Sequence, residues 1–290
     1  MTPSTAAVAA LEADVRRALA TGDQSALHVL GYGEISVVVA MEGGDGPVAA
    51  KRLPEFGDDR SFEEYAAVFA EYLAALSDAG VAVVSSELVR VPDDTRVVAY
   101  CVQPLLDAGS LGPAAARTDR ALDLVRAVIE TTVATIGPHV GLDAQISNWA
   151  LVDGELVYLD VTTPMLRDES GAERVDTDLF LASLPAALRP AVRAFLLDGI
   201  LATYYDRRGA VLDLTANLIK ERAAEALPDA IAVANAHVEP PLTAGEVRSH
   251  YARDARMWAL LQRLRRIDRA WQRRVRRRPY PFLLPLDIDR

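Results

Sequence analysis

Apolar residues in "STAAVAALEADVRRALA" recur at three- and four-residue steps, which predicts an amphipathic helix over roughly residues 5–21. The pattern then changes to β-branched runs. "ALHVLGYGEISVVVAM" predicts a strand, a glycine-bearing turn and a second strand, "EGGDGP" a turn, and "VAAKRLP" a third short strand that Pro54 stops. Helical spacing returns in "SFEEYAAVFAEYLAALSDAG", where Ser61 can cap, Glu64 can complete a capping box and Gly80 lies just past the end. "SELVRVPDDTRVVAYCVQPLL" reads as two strands joined at Pro-Asp-Asp. From residue 113 the spacing is mostly helical, interrupted by the short strands "WALV" and "LVYL" that fold back at Asp153-Gly154. The expected architecture is α+β. A small β-rich lobe with one main helix covers residues 1–103, and a larger, mostly helical lobe covers 104–290, with a hinge near Gln103 to Gly109.

A last amphipathic pattern sits near the C-terminus. Val247, Tyr251, Trp258, Leu261, Leu264, Ile267, Trp271 and Val275 recur at steps of three, four or seven, predicting one long helix whose apolar stripe packs on the body. "RRPYPFLLPLDIDR" after it is too rich in proline to continue the helix and reads as an extended tail.

Composition narrows the class. With 51% hydrophobic and 25% charged residues the chain reads as globular rather than disordered. No apolar run is long enough to cross a bilayer and the N-terminus lacks a basic start, so a cytoplasmic protein is expected. Cys101, the single cysteine, excludes an intramolecular disulfide and cysteine-rich zinc sites; within "VVAYCV" it reads as a buried, inert thiol. The net charge of -10 is uneven, because residues 263–278 hold nine arginines and one acid. The acidic remainder disfavours nucleic-acid binding in general. The arginine run is either a solvated face complementing that acidic body or a contact for an anionic partner such as a leader peptide, nucleic acid, a membrane surface or an acidic acceptor. Of the 31 basic residues only Lys51 and Lys220 are lysines, so a compact ammonium at either place calls for a reason.

Four pieces suggest chemistry when taken in order. "GYGEISVV", with Gly31, Gly33 and Ser36, can bring backbone N–H groups close to a phosphate, though a glycine-bearing hairpin turn has the same look. Lys51 ends "VAAK" on the third strand, where it is either a lysine at a sheet edge or a point charge for phosphates. Glu71 on the following helix can supply its counter-charge, with Glu64 as rival and an exposed helical glutamate as the plain alternative. In "VGLDAQISNWALVDGELVYLD", Asp143 can accept a hydroxyl proton, and Asn148 and Asp160 are hard oxygen ligands suited to Mg²⁺; singly, each also reads as a turn cap or a strand end.

As an ordered set these pieces resemble the protein-kinase-like phosphotransferases, closer to the bacterial aminoglycoside-phosphotransferase type than to eukaryotic protein kinases. The matching stretches are Gly31-x-Gly33-x-x-Ser36-x-Val38, Val48-Ala49-Ala50-Lys51, Gly141-Leu142-Asp143 through Asn148, and Asp160-Val161-Thr162. The resemblance implies a two-lobed kinase-like fold using ATP and Mg²⁺. Gly31, Gly33 and Ser36 would cover the nucleotide phosphates, and Lys51, held by Glu71, would contact the α- and β-phosphates. Backbone groups from Gln103 to Leu105 would meet adenine, Asp143 would be the base, and Asn148 and Asp160 would hold the metal. The departures are Gly141 in place of His, Ser36 in place of the third glycine, Val161-Thr162 in place of Phe-Gly, and no A-P-E sequence downstream. The implied acceptor is a hydroxyl of a small molecule or peptide. A catalytically weak pseudokinase serving as scaffold or accessory subunit, and a nucleotidyl transferase on the same fold, are the alternatives.

Overall fold

Seven residue stretches build the first lobe. They are α1 (Thr5–Thr21), β1 (Val29–Tyr32), β2 (Val37–Gly43), β3 (Gly46–Arg52), α2 (Asp59–Asp78), β4 (Glu87–Val91) and β5 (Val98–Pro104). The strands form one five-stranded sheet in the order β1-β2-β3-β5-β4, with every neighbouring pair antiparallel. The computed structural model describes residues 3–33, 36–91, 96–182, 184–186, 188–278 and 280–285. Glu34 and Ile35 of the glycine turn, the Pro-Asp-Asp joint between β4 and β5, and the last five residues of the tail lie outside the described residues.

Register explains what each face of this sheet carries. Val38, Lys51 and Cys101 lie in one row, and Val37, Arg52 and Tyr100 in the next. Because successive side chains on a strand point to opposite faces, Lys51 and Arg52 go to opposite sides. Cys101 shares a core with Tyr65, Phe69 and Tyr72 of α2. Tyr100 shares the other core with Val8, Val15 and Leu19 of α1. The sheet is thus covered by α1 on one face and by α2 on the other. Cys101 is fully buried, and burial pushes its thiol up to about 12, as an inert core cysteine requires.

The helix α1 is attached by charge as well as by apolar packing. Glu12, 2% exposed, accepts from Arg52 Nε (2.8 Å) and Nη2 (2.9 Å), from Tyr100 Oη (2.7 Å) and from Arg16 Nε (2.8 Å). Burial alone would raise the Glu12 pKa, but the Arg52 guanidinium and the other donors outweigh it and hold the carboxyl below its ordinary range. The start of α2 differs slightly from expectation. Asp58 rather than Ser61 is the cap, and Ser61 returns the bond as the third helical residue.

The second lobe comprises α3 (Gly112–Ala115), α4 (Ala121–Thr135), the hairpin β6 (Trp149–Val152) and β7 (Glu155–Tyr158), α5 (Asp178–Leu181), α6 (Arg189–Phe195), α7 (Leu197–Tyr205), α8 (Arg207–Lys220), α9 (Leu227–Ala234) and α10 (Ala244–Arg274). Asp153 (φ 53°) and Gly154 (φ 86°) make the tight turn between β6 and β7 that the sequence predicts. One apolar core runs through both lobes, from Tyr65 and Tyr72 of α2 to Val128 of α4, Leu214 of α8 and Val247 of α10. The expected arrangement of a small sheet lobe and a larger helical lobe is the one observed. Among the described residues no helix is long and apolar enough to cross a membrane.

The C-terminal helix departs from expectation in orientation. Its first half packs as predicted, with Val247 fully buried and Tyr251 half-buried against α8 and its neighbours. In the second half the polarity turns inside out: Gln262 and Arg265 are buried, while Ile267, Trp271 and Val275 are exposed. The inward side carries arginines, two of which serve backbone carbonyls. Arg273 donates to Leu19 O at the end of α1 (2.6 Å), Arg266 donates to Pro285 O (3.1 Å), and the Arg265 guanidinium lies over the Phe282 ring at 5.5 Å. A helix C-terminus carries unsatisfied carbonyls and partial negative charge, which a guanidinium suits better than an alkyl chain does.

Removing one partner of a buried ion pair leaves an uncompensated charge. Glu12→Ala should therefore lower unfolding stability by about 3–5 kcal/mol, whereas Glu12→Met with Arg52→Met should recover most of the loss. Urea titration of the two variants checks this, and a single variant as stable as the parent would contradict it. The folded-state pKa of Glu12 lies below its ordinary value of 4.5, so its contribution is fully present above that value and drains away as pH falls through the depressed one. The stability gap between parent and Glu12→Ala should accordingly narrow in acid.

Candidate functional site

The segment between α4 and β6 enters the interior at Gly141, and its surroundings explain why glycine stands there. A Cβ on Gly141 would lie 3.0 Å from both Tyr204 O and Tyr205 Cε1 and 3.1 Å from Met165 Cβ. The Gly141 carbonyl accepts from Tyr72 Oη of α2 (3.1 Å), its N–H donates to Met165 O (2.9 Å), and Leu142 N donates to Tyr204 O (3.0 Å). Neighbouring rings and backbone already fill the space that a histidine would need. Gly112 makes a second close approach, since its Cβ would collide with the Ile146 carbonyl at 2.0 Å.

Beyond that clamp the loop presents its polar groups. Asp143 Oδ1 accepts from Gln145 N (3.2 Å), and the Asn148 amide nitrogen donates to Asp143 O (3.2 Å). Leu159 N donates to Asn148 O (2.8 Å), so the backbone of the β6–β7 hairpin joins Asn148 to the residue preceding Asp160. Burial, and next the negative charges of Asp213 and Asp160, push the Asp143 carboxyl up to about 7.

Lys51 crosses between the lobes. Its Nζ lies 2.7 Å from Asp160 Oδ1, and both side chains are half-buried. The same carboxylate oxygen accepts from Thr162 Oγ1 (3.0 Å). Burial would raise the Asp160 pKa, but Lys51 and Thr162 hold it below its ordinary range.

The expected pairing of Glu71 with Lys51 is corrected by the structure. Glu71 points outward and pairs with Arg174 (2.9 Å), while its rival Glu64 pairs with Arg60 on the surface (2.8 Å). The inward face of α2 carries Tyr65, Val68, Phe69, Tyr72 and Leu76 instead. Two of these rings tie α2 to the site: Tyr65 Oη donates to Thr162 O (2.9 Å) and Tyr72 Oη to Gly141 O. Burial raises both phenol pKa values, so they donate as neutral hydroxyls.

The remaining expected residues are placed as follows. Gly31 pairs with Val38 across β1 and β2, and Gly33 N donates to Ser36 O (3.0 Å). A Cβ on Gly33 would lie 2.5 Å from Ser36 Oγ, which that hydroxyl can relieve by rotating, and Gly31 has open space around it. None of the three hydrogen-bonds to the Lys51–Asp160 group among the described residues. At the hinge, Gln103 Nε2 donates to Leu159 O (2.8 Å) and Ser86 Oγ (3.0 Å), and Leu105 N donates to Pro47 O (3.3 Å). Those donors act within the protein, joining the hinge to the hairpin and to β3.

A polar row on α8 escaped the sequence reading. Asp213, Asn217 and Lys220, at i, i+4 and i+7, share one face of an otherwise buried apolar helix. Gln145 Nε2 donates to Asp213 Oδ2 (3.0 Å), and Gln145 Oε1 accepts from Lys220 Nζ (3.2 Å) and Asn217 Nδ2 (3.3 Å). Asn217 Oδ1 accepts from Ile146 N (3.0 Å), and His250 Nε2 of α10 meets Asp213 Oδ1 at 2.9 Å. The signal was present in "DLTANLIK" and in the scarcity of lysine. Both lysines of the chain reach this region, Lys51 from the sheet and Lys220 from the helical lobe.

No curated protein matches the chain in sequence. Among solved structures, the Mycobacterium tuberculosis PknI kinase domain (C20A mutant) is similar at 14% identity and a TM-score of 0.35, covering 79% of this chain and 94% of that one. A family model described as "Family of unknown function (DUF6206)" matches residues 10–269, nearly the whole chain. The chain belongs to that family.

Proposed function

We propose that this protein is an ATP- and Mg²⁺-dependent phosphotransferase acting on a hydroxyl of a small molecule or peptide, as aminoglycoside-phosphotransferase-like enzymes do. The observation that carries the reading is the 2.7 Å contact of Lys51 with Asp160, from residues 109 apart, beside a loop that presents Asp143 and Asn148. Lys51 would exchange Asp160 for the nucleotide phosphates. An acceptor hydroxyl beside Asp143 would give that carboxylate its proton as its oxygen bonds to the γ-phosphorus and the bond to ADP breaks. Gly31, Gly33 and Ser36 would cover the phosphates, and the hinge backbone from Gln103 to Leu105 would border the adenine.

The donor chemistry fits Mg²⁺. Asn148 commits its amide nitrogen to Asp143 O, and neither Asn148 Oδ1 nor Asp160 Oδ2 accepts a hydrogen bond among the described residues. These are two hard oxygen ligands, and no cluster of three or more His, Cys, Asp or Glu able to hold a metal occurs among the described residues. Such a sparse protein set suits a cation that keeps waters and takes substrate phosphates as further ligands. Mg²⁺ held there would draw charge from the transferring group.

A pseudokinase reading has one observation in its favour. The inward face of α2 offers Lys51 no acid, and Lys51 neutralises Asp160 instead. Mass analysis of products formed from Mg-ATP and an acceptor pool separates the readings. Gain of one phosphate supports phosphotransfer, gain of a nucleotidyl group supports the nucleotidyl transferase, and ATP binding without turnover supports the pseudokinase.

Lys51→Ala should abolish most of the thermal stabilisation that Mg-ATP gives the parent. Lys51→Arg should fail as well, because a planar fork does not replace a point charge. Equal Mg-ATP stabilisation in all three forms would remove Lys51 from the phosphate site.

The two aspartates should separate by role. Asp143→Asn should keep Mg-ATP affinity near that of the parent and lose roughly 10²–10⁴ in rate. Asp160→Asn and Asn148→Ala should lose metal-dependent nucleotide binding together with rate. A binding titration and a rate for each variant decide the matter; if Asp143→Asn binds Mg-ATP as poorly as Asp160→Asn, the division of roles is wrong.

A further inference from the structure

The outward face of α10 is unlike the rest of the surface. Met257, Leu260, Ile267, Trp271 and Val275 are each 50–66% exposed, and with half-buried Leu264 they fall within about 80° of arc at 3.6 residues per turn. The row runs for about 27 Å along the helix at 1.5 Å per residue. Single exposed apolar residues are ordinary, but a continuous row of large ones marks a contact surface. Arg256, Arg263 and Arg274 follow one flank of the row, and Arg276, Arg277 and Arg278 continue past its end; all six are exposed. None of the six makes an ion pair among the described residues, so the acidic body does not neutralise them.

We propose that this face of α10 docks on an anionic membrane surface, with the apolar row at the acyl boundary and the arginines on lipid phosphates. An amphipathic helix with large apolar side chains on one face and arginines beside them is suited to lie in a bilayer interface. Trp271 adds an amphipathic ring of the kind that settles at headgroup depth. Guanidinium forks match phosphate geometry. A second copy of the chain fits less well. From Arg253 to Arg278 seven arginines are exposed against one exposed acid, Asp254, so two such faces would bring like charge together. The rest of the helix is compatible with the role, because its inward side is already held by α8, the end of α1 and the C-terminal segment. The inference is independent of the phosphotransferase reading.

Flotation of the full chain with vesicles tests it, using phosphatidylcholine alone and phosphatidylcholine with phosphatidylglycerol. The parent should float only with the anionic vesicles, and less as salt rises. Of the three tryptophans Trp149 is buried and Trp271 is 54% exposed, so binding should shift the emission to the blue, and Trp271→Phe should lose most of that shift. Arg263→Gln, Arg274→Gln and Arg276→Gln together should reduce partitioning roughly tenfold or more. Ile267→Ser with Trp271→Ser should reduce it as well, with circular dichroism and thermal midpoint like the parent's because these side chains are exposed. Equal binding to neutral vesicles, or binding to neither kind, would overturn the proposal. So would self-association of the parent that Ile267→Ser with Trp271→Ser abolishes, or anionic binding that survives both sets of substitutions.

Discussion

A positive and a negative side chain from opposite lobes meet between them at 2.7 Å. Lys51 comes from β3 and Asp160 from the end of the β6–β7 hairpin. A half-buried carboxylate beside Asp143 is costly unless compensated, and Lys51 provides the compensation. The position of Lys51 depends in turn on the register of β3 with β2 and β5, because a shift of one residue would exchange it with Arg52. Arg52 is itself held on the far face by Glu12 and Tyr100. Two neighbouring cations therefore have opposite assignments, one to the space between the lobes and one to the attachment of α1.

The loop carrying Asp143 is positioned by groups that no catalytic motif names. Tyr72 holds Gly141 from above, Gly112 lets α3 approach Ile146, and the α8 row holds Gln145 and Ile146 from below. Each contact uses a loop backbone group or the Gln145 side chain, and the Asp143 carboxylate accepts from Gln145 N and lies beside the Asn148 amide. The absence of histidine at position 141 follows from this packing: the neighbouring tyrosines take the volume, and a tyrosine hydroxyl takes the carbonyl. On α2 the inward positions are held by Tyr65 and Tyr72, and Glu71 on the outward side pairs with Arg174.

Much of the architecture was legible in sequence because local periodicity reports local structure. The bounds of α1, the tight turn at Asp153-Gly154 and the change from a strand-rich to a helical lobe follow from apolar spacing and turn residues. The order of Gly31, Lys51, Asp143, Asn148 and Asp160 along the chain was equally visible, and so was the oddity of two lysines among many arginines.

Other features depend on contacts between distant segments, which periodicity does not encode. Partner choice is one: the sequence favours Glu71 over Glu64 as the partner of Lys51, and the rotation of α2 about its axis turns both away from it. The α8 row is another, since Asp213, Asn217 and Lys220 become a set only when α8 lies under the loop. The C-terminal helix is the clearest case. Its apolar stripe alone predicts burial, yet the carbonyls ending α1 and the C-terminal segment select the arginine face. Sequence determines which faces a helix has; the groups waiting to be satisfied around it decide which one turns inward.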